Sequence, residues 1–310
     1  MPLFGHVTGA NSEAFDIETN VPSLHDKTIL ITGGDSGIGK QVTRYLAQLS
    51  PSQIWLAVKD PDNADGAIAD IQHQTPDVHI RIVQVNLASF ASIKAAAAVL
   101  ISQIERLDIL MLNAGVMGLP AQLTEDGYEY QFGINHLGHA LLTKFLLPVL
   151  VKTAGSDRDV RVIVTSSYSH RNAPRAGIDF DILKTDGRNL PTLKRYAQSK
   201  LANILFARVL AERYPQITVA AIHPGASRTN LVLRATGLSI MDRIIGLFIY
   251  QPVNVVAKHH IWAVVAQNLQ SGQYYEPLGL SGQGSPEVTN RDLALELWEW
   301  TERELGPHVI

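Results

Sequence analysis

The 310-residue chain has no cysteine, which excludes disulfides, thiolate metal sites and a cysteine nucleophile in one step. It also lacks a charge excess. Its 26 Lys and Arg against 29 Asp and Glu leave a formal net charge of -3. With no Lys/Arg-rich tract, nothing electrostatic draws the chain to nucleic acid or to an anionic membrane surface. No uncharged run reaches the roughly 18 apolar residues of a membrane span, and residues 1–22 hold no apolar stretch of signal-peptide length. No Asn-x-Ser/Thr acceptor occurs, and the terminal His308-Val309-Ile310 matches no retention or peroxisomal signal. These absences set the expectation of a soluble, cytoplasmic protein without stable membrane insertion. The apolar share of 46% and charged share of 18% suit an ordinary globule.

Along the chain, short apolar runs alternate with helical patterns. Residues 1–22 are mixed and polar, an extension expected to wrap the surface ahead of a single domain over 23–310. Thr28-Ile29-Leu30-Ile31 has the character of a strand buried on both faces. Further strands are expected over Ile54–Val58, Ile80–Val85, Asp108–Leu112, Arg161–Thr165 and Ile217–Ile222, with a last one at Gln273–Tyr275. Between them the periodicity predicts helices from the glycine loop to Leu49, over Asp65–Gln74 and over Ser89–Arg106. A long helix runs from a Thr124 cap to Lys152, with Pro148 as a kink or break, and another carries residues 192–209. Strands separated by helices require parallel crossovers. The fold class is α/β, one Rossmann-like doubly wound parallel sheet with helices on both faces.

The first strand leads into Thr32-Gly33-Gly34-Asp35-Ser36-Gly37-Ile38-Gly39 and then a helix. This order suits a dinucleotide, since glycines let the backbone approach a pyrophosphate held at the helix N-terminus; a plain strand-to-helix turn is the competing reading. Tyr196 and Lys200 are four apart on a helical pattern and leave the same face. An ammonium beside a phenol favours the phenolate and lowers its pKa, although such a pair alone also suits a solvated helix face.

With these pieces in order, residues 27–229 resemble the short-chain dehydrogenase/reductase family. The resemblance implies that Ser167, Tyr196 and Lys200 form its catalytic triad and that Asn135 is the fourth member on the long helix. Gly33, Asp35, Ser36, Gly37, Ile38 and Gly39 match its cofactor loop. Asn113, Ala114 and Gly115 match its motif after the fourth strand, and Pro224-Gly225 the turn beside the nicotinamide, with Thr229 closing the matching region. Asn86-Leu87 stands where the family generally has Asp-Leu beside the adenine. Ile134-Asn135-His136-Leu137-Gly138-His139 resembles the retinol-dehydrogenase-like and WW-domain-oxidoreductase-like branch, and the chain's ending resembles fungal members, many of secondary metabolism.

The implied chemistry joins a carbonyl and an alcohol on a small lipophilic molecule. Tyr196 supplies the proton, Ser167 a hydrogen bond to the oxygen, Lys200 holds the ribose while lowering the Tyr196 pKa, and Asn135 holds a water leading to solvent. The second strand ends Val58-Lys59, with no acid where an NAD-selective site needs one, so NADP(H) is favoured over NAD(H). Asp35 in the loop opposes that charge logic. A cofactor-binding sensor without turnover, or dehydratase- or epimerase-like chemistry, stays open because fold does not set reaction. The resemblance also allows a homodimer through the long helix and the Tyr196 helix.

Other features have plainer readings. Leu238–Tyr250, within a 230–270 region expected to close over substrate, reads as a lid, a dimer contact or a packed helix. His136 and His139 are expected to pack or bond the backbone. His259 and His260 point to different helix faces, and no metal site is expected. Tyr168 and His170 either line the substrate mouth or face solvent, and Trp298 and Trp300 are expected to be packing anchors.

Overall fold

Strands β1 (Thr28–Thr32), β4 (Ile109–Leu112) and β5 (Arg161–Thr165) are buried at every position. That is why their sequences read as unbroken apolar runs rather than as alternation. The computed structural model describes residues 15, 17, 21–227, 251–306 and 308. With β2 (Gln53–Val58), β3 (Ile80–Gln84), β6 (Thr218–Ile222), β7 (Tyr274–Glu276) and β8 (Leu280–Ser281), these strands form one eight-stranded sheet of order β3-β2-β1-β4-β5-β6-β7-β8. All neighbours pair in parallel except β7 and β8. In register, Ile29 lies beside both Ile54 and Ile109.

Successive strand residues feed two separate cores. Leu30, Leu110 and Val162 enter one; Ile29, Ile31, Ile109 and Ile163 enter the other. Helices α1 (Gly37–Gln48), α2 (Pro61–Gln72) and α6 (Val253–Val265) cover the second face through Val42, Leu46, Ile71 and Ile261. Helices α3 (Phe90–Gln103), α4 (Tyr130–Ala154), α5 (Thr192–Arg213) and α7 (Arg291–Leu305) cover the first. The chain winds outward from β1 in one direction, then returns to β4 and winds in the other. That reversal opens a crevice beyond the carboxyl ends of β1 and β4, the place where doubly wound sheets take their ligands.

Several boundaries differ from expectation for physical reasons. The long helix starts at Tyr130, not Thr124. Residues 124–128 form a tight turn instead, in which Gly127 takes φ 83° and the Tyr128 N–H donates to Thr124 Oγ1 at 3.1 Å. Glu129 then caps α4 by accepting from the Phe132 N–H at 2.7 Å. Pro148 does not break α4; it is exposed, where water can satisfy the carbonyl it frees. A five-residue π segment, Gly133–Leu137, lies inside the same helix. β8 had no signal, being two residues long and following a Leu278 held at φ 54°. The sheet's last parallel strand ends one residue beyond the expected Gln273–Tyr275 run.

Trp298 stacks on Phe206 at 5.5 Å, and Trp300 meets Phe132 edge-on at 5.8 Å, so both anchor α7 to the core. Helix α4 is long and apolar enough to cross a membrane by length and composition, but 78% of the relevant window is buried within the fold. Of the 230–270 region expected to close over substrate, residues 230–250, including the Leu238–Tyr250 stretch, lie outside the described part. Residues 253–265 are the helix α6, packed on α1 and the sheet.

The opposite, amino-terminal edge of the sheet is tied together by Asp108. Fully buried, its carboxylate accepts from the Thr28 N–H at 2.8 Å and pairs with Arg106 at 2.9 Å, Arg158 at 3.5 Å and Lys27 at 3.6 Å. The three cations are partly exposed and can rehydrate, so the cost of removing the carboxylate lies mainly in the orphaned Thr28 N–H. Asp108→Ala is expected to destabilise the fold by ~2 kcal/mol. Urea denaturation checks this: the midpoint falls in Asp108→Ala and falls less in Asp108→Asn, which keeps an acceptor.

Candidate active site

The carboxyl ends of β1, β4, β5 and β6 bring the predicted residues together. After β1, Gly33 takes φ 65°, a conformation that favours glycine. Gly39 is needed for space: a Cβ there would lie 2.0 Å from the Gly33 carbonyl oxygen and 2.7 Å from Asn113 Nδ2. The loop therefore folds back on itself before α1 starts. Ser36 stands at the cap of α1 without bonding it, and the first turn carries no acid. The N–H groups of that turn are left to a ligand or water, and a phosphate suits them. Gly37 and Ile38 open this turn, and Asp35 beside it is half-buried, with its pKa raised by burial and by the nearby Asp60.

The motif after β4 is held by the hydroxyl of Thr32. Its Oγ1 accepts from the N–H groups of Asn113 and Ala114, each at 2.9 Å, and Asn113 Nδ2 donates to the Thr32 carbonyl at 3.0 Å. Gly115 comes next and passes over the site floor. A Cβ there would be 3.1 Å from Asn135 Oδ1 and 3.4 Å from Lys200 Nζ, so a side chain would press on both catalytic groups.

Tyr196 and Lys200 lie on α5, both buried. The Ser167 side chain acts on the Tyr196 hydroxyl, pulling its pKa down, which distinguishes Ser167 from its neighbour. Ser166 instead donates to the Lys200 carbonyl at 2.7 Å. Lys200 Nζ sits 5.7 Å from the centre of the Tyr196 ring and donates to the Thr165 carbonyl at 3.0 Å. The π segment of α4 aims Asn135 at the same place. Its Nδ2 donates to Val116 O and Ser199 Oγ, both at 2.9 Å, and its Oδ1 accepts from the Val116 N–H at 2.8 Å.

The electrostatics reverse one expectation. Lys200 does not lower the Tyr196 pKa; burial dominates and pushes it up to about 12, against a downward pull from the Ser167 side chain. The same burial lowers Lys200 to about 8. Both groups have lost water, and the ammonium is directed to a backbone carbonyl rather than to the phenol oxygen. Desolvation of each therefore outweighs their mutual attraction.

The remaining predicted positions are spread around this centre. Lys59 is exposed after β2, and among the described residues no carboxylate pairs with it. Asn86 turns its amide toward the 124–128 turn, donating to Glu125 at 3.0 Å and accepting from the Ala88 N–H at 3.2 Å. Leu87 is buried against Gly138, where a Cβ would lie 2.5 Å from the Leu87 carbonyl oxygen. Pro224 and Gly225, with φ 98° at the glycine, follow β6 next to His259. Thr229 lies outside the described residues.

Of the two readings offered for Tyr168 and His170, solvent exposure fails for His170. His170 is buried; Nε2 accepts from the Ser285 N–H at 3.1 Å, so Nδ1–H donates to the Ser167 carbonyl at 2.7 Å. Tyr168 is half-buried with Arg171 4.0 Å above its ring, and Arg171 pairs with the buried Glu276 at 2.8 Å. His136 packs between Phe132 and Phe206 and bonds Thr301 Oγ1 at 3.0 Å. His260 bonds Thr165 Oγ1 at 3.2 Å, and His259 accepts from the Leu278 N–H at 3.1 Å.

Two residues that hold the site carried no usable signal. Arg195, next to Tyr196, is buried against Glu129 at 2.7 Å and donates to the Leu119 carbonyl at 3.0 Å. Glu129 is the same carboxylate that caps α4. The pair locks the Tyr196 helix to the Asn135 helix. A charged residue inside an apolar helix was visible, but its partner 66 positions away was not.

Comparison with known proteins agrees with this geometry. Residues 27–178 match the family described as short chain dehydrogenase. The chain is 38% identical over 295 residues to retinol dehydrogenase 13 of Homo sapiens, covering 92% of this chain and 86% of the relative. It is 33% identical over 302 residues to the short-chain dehydrogenase/reductase drtF of Aspergillus calidoustus, covering 92% and 95%. An uncharacterized protein of Mycobacterium paratuberculosis has a similar crystal structure, with TM-score 0.73 and 28% identity, over 94% of this chain and 97% of that one.

The burial of Lys200 is directly measurable. In a 13Cε-lysine NMR titration, one resonance is expected to titrate near pH 8 instead of near the ordinary 10.5. That resonance should be absent in Lys200→Met; an unshifted set of lysines would contradict the burial argued here.

Proposed function

Because the chain belongs to the short-chain dehydrogenase/reductase family and is an NAD(P)-dependent enzyme of alcohol and carbonyl groups, we propose that it is an NADP(H)-dependent reductase or dehydrogenase of a small lipophilic molecule. The observation that carries the reading is the convergence of the Ser167 side chain on Tyr196 beside a buried Lys200. When bound, the nicotinamide supplies or takes the hydride. What the chain's residues do concerns the oxygen. Tyr196 gives its proton to the forming alkoxide and Ser167 donates a hydrogen bond to the same atom. The Tyr196 hydroxyl, its pKa raised by burial, carries its proton at neutral pH and so can act as the donor. Lys200, below Gly115, is placed to hold ribose hydroxyls, and Asn135 holds the Val116 backbone that roofs it.

Two features support NADP(H). Val58 ends β2 without an acid, and the exposed Lys59 that follows has no described carboxylate to neutralise it, leaving a cation for a 2′-phosphate. Asp60 is engaged by Asn63 at 2.6 Å. A lipophilic substrate is supported by the relative named for retinol, itself an apolar alcohol. A place in fungal secondary metabolism is supported by the resemblance of the chain's ending to fungal members and by the relative from Aspergillus calidoustus.

A panel of lipophilic ketones, aldehydes and alcohols, followed by nicotinamide absorbance with NADPH and NADH in parallel, tests this. Turnover is expected, with NADPH preferred, and Tyr196→Phe is expected to lower kcat by at least about a hundredfold, the scale of a lost general acid. Lys59→Glu should shift preference to NADH. Tight NADPH binding with no turnover on any compound would favour the sensor reading, and full activity in Tyr196→Phe would overturn the mechanism.

A further inference from the structure

One buried histidine connects the cofactor loop to the catalytic helix, and donor counting sets its protonation. Thr32 Oγ1 already accepts two backbone N–H groups, from Asn113 and Ala114. A hydroxyl has two lone pairs and one proton, so it has no room for a third donor. Its next neighbour is His139 Nε2 at 2.9 Å, nearer than the Met111 carbonyl at 3.4 Å. The Thr32 proton therefore points to Nε2, which must be the bare nitrogen. The other end requires the same answer. Nδ1 lies 3.1 Å from the backbone carbonyl oxygen of Asn135, which only accepts, so Nδ1 carries the hydrogen. Two independent ends specify one neutral tautomer. Burial agrees, holding His139 down to about 4, and the nearby Lys200 charge pushes in the same direction.

We propose that His139 is a positioning residue that ties the Thr32 hydroxyl of the cofactor loop to the Asn135 carbonyl of the catalytic helix. Thr32, Asn135 and His139 are essentially without solvent exposure, so no water replaces either bond. Through Thr32 the histidine sets the Asn113–Ala114 backbone, which would help hold a dinucleotide. Through Asn135 it sets the π segment whose side chain holds Val116 over the site. The two ends serve different tasks: the first affects cofactor affinity and the second turnover. This inference rests on the oxidoreductase reading for its second half only.

The ends can be separated by side chains that imitate one nitrogen each. Gln places a polar atom near the Nε2 position and Asn near the Nδ1 position. In His139→Gln, NADPH affinity measured by its fluorescence should stay within about twofold while kcat falls about tenfold, the scale of one hydrogen bond. In His139→Asn the pattern reverses, with kcat at saturating NADPH nearly kept and NADPH affinity weakened about tenfold. His139→Phe fills the space, keeps neither bond and should lose both. Thermal unfolding separates a packing role: if Gln and Asn lower affinity and kcat together in proportion to lost stability, the proposal is overturned. It is equally overturned if His139→Phe binds and turns over like wild type. Should the wild-type protein turn over no compound, the oxidoreductase reading fails, and the Gln against Asn contrast in NADPH affinity still decides the Thr32 half.

Discussion

Everything at this site depends on burying one ammonium at the end of a strand. Lys200 Nζ and Asn203 Nδ2 both donate to the Thr165 carbonyl at 3.0 Å, the last carbonyl of β5. A charge removed from water is tolerated only with close polar partners, and these partners exist only if α5 packs on the sheet face beside β5 and β6. The docking of that helix is therefore both a packing event and the construction of the site. It is secured a second time from its first turn, where Arg195 meets Glu129 in an environment equally cut off from water.

The two edges of the sheet have different duties. At the amino-terminal edge Asp108 collects a backbone N–H and three cations, and the result is cohesion. At the carboxyl edge the strands stop with polar residues, Thr32, Asn113, Thr165 to Ser167 and His223, which turn toward one another and toward a crevice. Because the strands run parallel, all their free carboxyl ends gather on one side. The chemistry gathers there for the same reason.

Buried histidines form much of the connective tissue of that edge. His139 and His170 each bridge two groups while His260 bonds the Thr165 hydroxyl, and burial keeps all three from protonating, with pKa values near 4, 4 and 3. A neutral imidazole offers one donor and one acceptor at a fixed separation. That suits joining two elements whose loose ends are an N–H or hydroxyl on one side and a carbonyl on the other. His170 fixes the Ser167 backbone by the same donor-acceptor logic that gives His139 its tautomer.

The strands and their order of appearance were legible because burial on both faces leaves an unbroken apolar signature in β1, β4 and β5. The glycine loop was legible because Gly39 has no alternative beside the Gly33 carbonyl. The pairing of Tyr196 with Lys200 was legible because helical spacing is local. Less local facts were not. The start of α4 at Tyr130 depends on Glu129 serving as a cap while paired with Arg195, and β8 is too short to carry a pattern. The direction of the Tyr196 shift was misjudged from sequence because spacing shows a neighbouring charge but not the loss of water. By itself the sequence determined the local pairings, Tyr196 with Lys200 and the turns of the glycine loop, since periodicity and glycine placement act over a few positions. The place of Ser167 and Asn135 beside them was implied by the family resemblance. Only the tertiary structure decided how those residues behave. Desolvation, tautomers and long-range partners such as Arg195 with Glu129 come into being when distant segments close around them and exclude water.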